Sequence, residues 1–226
     1  MSDYNTIQLL AVIALPLLFA ITLHEFSHGW VAYKLGDPTP KMLGRLTLNP
    51  LRHIDPVGTI VFPLMMFLLS TMAGGSPLIF GLAKPVPITP QNLRNIRRDM
   101  AWVAIAGPAS NLLMAIMWAL VAKFSLAAYE AGQGWFALPL ISMSIYGILI
   151  NLVLMVFNLF PIPPLDGGRV LTSVLPGPVA WKLSRIEPYG IMIVLAVVIF
   201  GGWELIMQPI IGSLMAIMKT LFALPF

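Results

Sequence analysis

The stretch IQLLAVIALPLLFAITLHEFSHGWVAYKL, residues 7–35, decides the fold. It carries no ionisable side chain from Ile7 to Leu23, then sets His24-Glu25-Phe26-Ser27-His28 inside the same apolar run. About 20 apolar residues cross a bilayer, so the run reads as a membrane helix. An ionisable group at that depth costs at least about 2.5 kcal/mol on insertion scales, and such groups normally have a functional reason. Residues four apart on a helix share one face, which places His24 and His28 as two ligands of one zinc ion. Glu25 lies one residue round from His24, where it can reach a water on the metal without binding the metal. The pattern implies hydrolytic chemistry inside a bilayer. The bland alternative is a pair of hydrogen-bonded histidines at a helix interface.

The rest of the composition agrees with a membrane setting. The 226 residues are 58% hydrophobic and 10% charged, which excludes an ordinary soluble globular domain. No polar segment is long enough for a separate soluble domain, so residues 1–226 read as a single membrane-embedded domain. The absence of cysteine excludes thiolate ligands and leaves histidine and carboxylate for any metal site. A net charge of +4 is modest, and its clusters stand beside apolar runs. They suit lipid headgroups and topology, with no nucleic-acid partner implied.

Outward from the first run, Gly36-Asp37-Pro38 is a helix stop. A polar connection over 36–56 is followed by an apolar stretch, 57–73, and a Gly/Pro-rich stretch, 74–90. A short polar helix is expected around 91–99, then spans near 100–124 and 138–160. A short amphipathic stretch ends near Arg185, a fifth apolar run covers 189–207, and a last one follows Pro209. The fold class is therefore an all-α polytopic membrane protein of five to six transmembrane segments. Lys34, Lys41, Arg45 and Arg52 follow the first run, Lys84, Arg94, Arg97 and Arg98 precede the third, and Arg169, Lys182 and Arg185 follow the span ending at Phe160. The positive-inside rule puts all three basic regions in the cytoplasm. That requires residues 57–83 to return to the side they left, as a re-entrant hairpin or a span with a returning loop. His24, His28 and Asp166 then lie toward the cytosolic side.

A catalytic zinc takes three protein ligands and keeps one position for water. The third ligand must come from another element, and Asp166 stands out in Asn158-Leu159-Phe160-Pro161-Ile162-Pro163-Pro164-Leu165-Asp166-Gly167-Gly168. The prolines stop the span, and the two glycines allow a tight turn that can aim the carboxylate inward. A helix N-cap before Arg169 is an equal alternative for this aspartate. His53, in a Pro-flanked loop, reads as bonding backbone and stays outside the metal set.

At these residues the chain closely resembles the site-2 protease family of intramembrane zinc metalloproteases, in its compact prokaryotic branch without PDZ or nucleotide-sensing domains. The His24–His28 motif and the 158–168 segment carry the likeness. So does Gly107-Pro108-Ala109-Ser110-Asn111, similar to the family's G-P-x-x-N segment, with supporting matches at 49–59 and 81–87. The resemblance implies one Zn2+ per chain held by His24, His28 and Asp166, with Glu25 as catalytic base. It implies a peptidase of the prokaryotic plasma membrane that acts on transmembrane-segment substrates within the lipid bilayer. Asn111 is the candidate donor to the developing oxyanion, against a plain polar contact between spans. The stretch 81–87 is a candidate edge strand for extended substrate, against a stiff interfacial loop. A zinc-binding transporter or inactive scaffold is the competing class. Such proteins spread ionisable groups along several spans or lack the glutamate, and this chain does neither.

Overall fold

The computed structural model describes residues 6–55 and 84–226, and among these residues it contains helices and turns with no strand. The order is α1 (Thr6–Lys34), α2 (Thr39–Met42), a 3-10 turn at Pro50–Arg52, a second at Pro90–Asn92, α3 (Ile96–Glu130), α4 (Gly134–Asn158), α5 (Asp166–Val174), α6 (Gly177–Ser184) and α7 (Glu187–Val197). A π-helical stretch, Val198–Met207, then leads into α8 (Gln208–Phe222). Four helices among the described residues are long and apolar enough to cross a membrane: Ile7–Lys34, Ile96–Glu130, Gly134–Asn158 and Glu204–Phe222. At 1.5 Å per residue α1 is about 43 Å long and exceeds a hydrocarbon core of about 30 Å.

Helix α3 is the centre of the assembly, packed along α4 and against α1 and α5. Ala115, Ala119 and Ala122 turn a stripe of small side chains toward α4, where Ile148, Leu152 and Met155 are buried. Small residues are what let membrane helices approach closely, because lipid supplies no hydrophobic drive between them. Gly147 shows the same need, since a Cβ there would stand 2.4 Å from the Trp118 ring. Large apolar side chains such as Leu10, Phe19, Leu113, Met117, Phe124 and Leu221 face outward. On a soluble protein they would be a large apolar patch; in a bilayer they are the ordinary lipid-facing surface.

Three details differ from the sequence reading. The polar helix expected around 91–99 is instead a 3-10 turn followed by the first turn of α3 itself. Asn95 caps α3 by accepting from the Arg98 N–H at 3.1 Å, and Asp99 accepts from the Asn95 N–H at 2.9 Å, so the polar residues start the span. The fifth apolar run is not one continuous α-helix. It divides into the 11-residue α7 and the π-helical stretch containing Gly201, whose φ of 86° lies in the left-handed region. Eleven residues reach only about 16 Å. Pro209, read as a separator, sits in the first turn of α8, where its missing N–H has no cost. The hairpin expected over 57–83 lies outside the described residues. The residues flanking it meet, with the Lys84 N–H donating to His53 O at 3.0 Å.

Candidate metal centre and active site

Helix α1 carries His24 and His28 on one face, and the approach of α3 fixes both rings. His28 Nδ1 lies 2.6 Å from the Val103 carbonyl oxygen, which can only accept, so Nδ1 carries the proton. In the neutral imidazole this leaves the Nε2 lone pair free. His24 reaches the same state through a longer chain. Asn151 Nδ2 donates to Gly147 O at 2.8 Å, Asn111 Nδ2 donates to Asn151 Oδ1 at 2.9 Å, and His24 Nδ1 donates to Asn111 Oδ1 at 2.6 Å. A backbone carbonyl ends this chain, so every amide in it has one orientation and His24 Nε2 also presents a lone pair.

The two Nε2 atoms are 3.1 Å apart, and Asp166 Oδ2 lies 3.2 Å from each. All three residues are buried, and Asp166 Oδ2 has no hydrogen-bond partner among the described residues. Three lone-pair donors facing one another in a buried space repel unless a cation sits among them. Nitrogen and oxygen ligands at about 2.0–2.1 Å from a tetrahedral zinc stand roughly 3.3 Å from each other, so the observed triangle fits that ion. Three such donors would leave a fourth position for a small ligand on a tetrahedral ion.

Local chemistry explains why Asp166 arrives there. It is the first residue of α5 and Leu165 is the N-cap, so the carboxylate is not spent on capping and the alternative reading of Asp166 falls. The glycines after it act by close approach and not by turn geometry. A Cβ on Gly167 would lie 2.1 Å from Leu159 O, and one on Gly168 2.2 Å from Pro163 N. The 159–165 turn therefore folds directly onto the start of α5. Gly107 does the same service on α3: a Cβ there would be 2.3 Å from His28 Nε2 and 2.6 Å from His24 Cε1.

Glu25 is buried beside the pair, and its Oε2 accepts the Val86 N–H at 2.9 Å. Asn111 is fully buried with both ends of its amide engaged, toward His24 on one side and toward Asn151 and Ala20 O (3.4 Å) on the other. That occupation favours holding His24 over donating to an oxyanion. His53 is buried and bonds backbone, with Nε2 donating to Thr47 O at 2.9 Å. Asn158 donates to Leu154 O of its own helix at 2.9 Å. Asn151 and Val86 escaped the sequence reading. An asparagine in the middle of an apolar run was the available signal for the first, because a buried amide in lipid needs a partner.

Two histidines from one span and a carboxylate from another helix are a set that could hold a metal ion, with a glutamate beside the first histidine. The comparisons with known proteins agree. The model of "Peptidase family M50" matches residues 125–201, which include the Asp166 segment. "Putative zinc metalloprotease YwhC" of Bacillus subtilis (strain 168) is 36% identical over 217 residues, covering 93% of this chain and 90% of that protein. The Rip2 protein of Mycolicibacterium smegmatis, which bears the same zinc metalloprotease designation, is 28% identical over 184 residues, 80% of this chain and 64% of its own length. No solved structure matches the chain. The chain belongs to peptidase family M50.

Proposed function

We propose that this chain is an intramembrane zinc metalloprotease, one membrane-embedded peptidase unit over residues 1–226, that hydrolyses peptide bonds within or beside transmembrane segments of other proteins. The observation that carries the reading is the triangle of His24 Nε2, His28 Nε2 and Asp166 Oδ2, buried, with each histidine Nδ1 tied to another acceptor and Glu25 alongside. His24, His28 and Asp166 would hold one zinc ion, which when bound would acidify a water and polarise a carbonyl. Glu25 accepts the proton of the attacking water and returns one to the leaving amine. Asn111 sets the tautomer of His24 and so keeps Nε2 aimed at the ion, as outer partners of metal ligands commonly do.

A helical substrate has every backbone carbonyl bonded within itself, so it must unwind locally before it can be cut. Orientation follows from charge. Arg97 at the start of α3 donates to Ser173 O of α5 at 3.3 Å and to Leu175 O just past its end, and Arg94 Nη2 donates to Lys34 O at 3.3 Å. These contacts gather the three basic regions at one end of the bundle, which supports a cytosolic placement of that end and of the adjoining site in a prokaryotic plasma membrane.

The test is mass-spectrometric analysis of single-span peptides incubated with the protein in proteoliposomes, comparing wild type with Glu25→Gln at equal zinc content. Products cut within the apolar segment by wild type and absent from the variant are the expected result. Equal cleavage by both would remove Glu25 from the chemistry and refute the reading.

A further inference from the structure

Glu25 is held by a segment far away in sequence. The donor to its Oε2 is the backbone N–H of Val86, which lies between Pro85 and Pro87. Proline has no N–H, so Val86 supplies the single backbone donor of these three residues, and that donor is spent on the carboxylate. Residues 84–89 run without helix and pair with no strand among the described residues. They are fixed on both sides of Val86. Lys84 N–H donates to His53 O at 3.0 Å, and Arg45, itself buried, donates from Nη2 to Lys84 O at 2.8 Å and to Pro85 O at 3.4 Å. Beyond Val86, the Thr89 N–H donates to Asp37 Oδ2 at 2.7 Å. The Val86 side chain is buried over Gly29, where a Cβ would be 3.1 Å from Val86 Cγ1. The glycine after the second histidine thus leaves room for this segment to seat on α1.

These contacts speak against the edge-strand role for the described part of 81–87. The N–H groups of Lys84 and Val86 and the carbonyls of Lys84 and Pro85 are already engaged within the protein. What the segment offers is one aimed donor. A carboxylate on a flexible two-carbon arm samples several rotamers, and a proton-transfer group displaced by about 1 Å loses on the order of a hundredfold in rate.

We propose that the Val86 amide is the positioning group of the general base. It ties down one oxygen of Glu25 so that the other faces the attacking water, and the 84–89 segment is therefore a built part of the active site. The inference rests on the reading of Glu25 given above. It belongs to the backbone, so side-chain replacement alone does not test it.

The experiment compares Val86→Pro, Val86→Ala and a protein carrying α-hydroxyisovaleric acid at position 86, in proteoliposomes with a single-span peptide. Val86→Ala keeps the N–H and measures what the side chain contributes. Val86→Pro removes the N–H, and the hydroxy acid replaces it with an ester oxygen while keeping the side chain. The proposal expects kcat of Val86→Pro to fall at least about tenfold below that of Val86→Ala, with KM within about twofold and zinc content equal. The ester protein is expected to share the loss in kcat. A merely structural role would lower zinc content and thermal stability together with kcat. Val86→Pro matching Val86→Ala, or the ester protein matching wild type, would overturn the proposal. If Glu25→Gln cleaves like wild type, the underlying reading fails and the inference falls with it; if Glu25→Gln is inactive while the ester protein is fully active, the inference alone fails.

Discussion

Replacing Gly107 by alanine adds one methyl group, and the structure says where it must go. The new Cβ would lie 2.3 Å from His28 Nε2, 2.6 Å from His28 Cε1 and 2.6 Å from His24 Cε1. Carbon contacts are comfortable at about 3.5 Å or more, so the rings or the helices must move by roughly 1 Å. The rings resist, because His28 Nδ1 is tied to Val103 O and His24 Nδ1 to Asn111 Oδ1, both at 2.6 Å. If they yield, the ligand triangle opens; if α1 and α3 part, the Asn111 and Val103 contacts stretch. Either way zinc affinity is expected to drop about 10–100-fold, the range seen when supporting partners of ligands are lost. Peptide cleavage at limiting zinc is expected to drop with it. Fold stability should change little, since overpacking costs about 1–3 kcal/mol and exchanging glycine for alanine in a helix returns about 1 kcal/mol. The assay is zinc competition against a chelator of known affinity, with Gly212→Ala as control, because no described residue lies within 4 Å of a Cβ there. Wild-type zinc affinity in Gly107→Ala would refute the packing argument.

Three further outcomes follow from the same geometry. Asn151→Ala removes the acceptor that orients Asn111, leaving a buried amide donor unsatisfied at about 1–3 kcal/mol, and should lower zinc affinity without touching a ligand; an unchanged chelator titration would argue against the relay. Burial alone would raise the Asp37 carboxyl, but donors from Thr39, Asn92 and Thr89 outweigh it and hold the group below the ordinary carboxylate range. Asp37 therefore stabilises the fold above that range and loses the contribution as pH falls through it, so the melting-temperature gap between wild type and Asp37→Asn in detergent should be widest near neutrality and shrink in acid. In the substrate, replacing glycine or proline near the cut by leucine should slow hydrolysis by stiffening the helix, which a time course on paired peptides measures; equal rates would sink the unwinding requirement.

The metal motif was legible because its geometry is local: positions four apart on one helix need no knowledge of the rest of the fold. Asp166 was only half legible. Its neighbours gave a ligand and an N-cap equal standing, and what speaks against the cap is the placement of Leu165 there, with the 159–165 turn folded back on Gly167 and Gly168. Asn111 was found, yet its engagement with His24 depends on Asn151, 40 residues on, and on which way each amide points. The Val86 bond to Glu25 spans 61 positions, and a hydropathy reading has no access to a backbone donor. Charge and apolarity also misplaced boundaries. They read the Asn95–Asp99 cap as a separate helix and the run through Gly201 as one helix, because neither measure registers capping or left-handed backbone.

The most direct test of the central claim is the zinc content and X-ray absorption spectrum of the purified protein, measured beside Asp166→Ala and His28→Ala. The account predicts one zinc per chain in the wild type, with two imidazole nitrogens and carboxylate oxygen among its ligands, and loss of tight binding in both variants. A wild-type protein that binds no zinc, or an Asp166→Ala protein with an unchanged zinc spectrum, would contradict it.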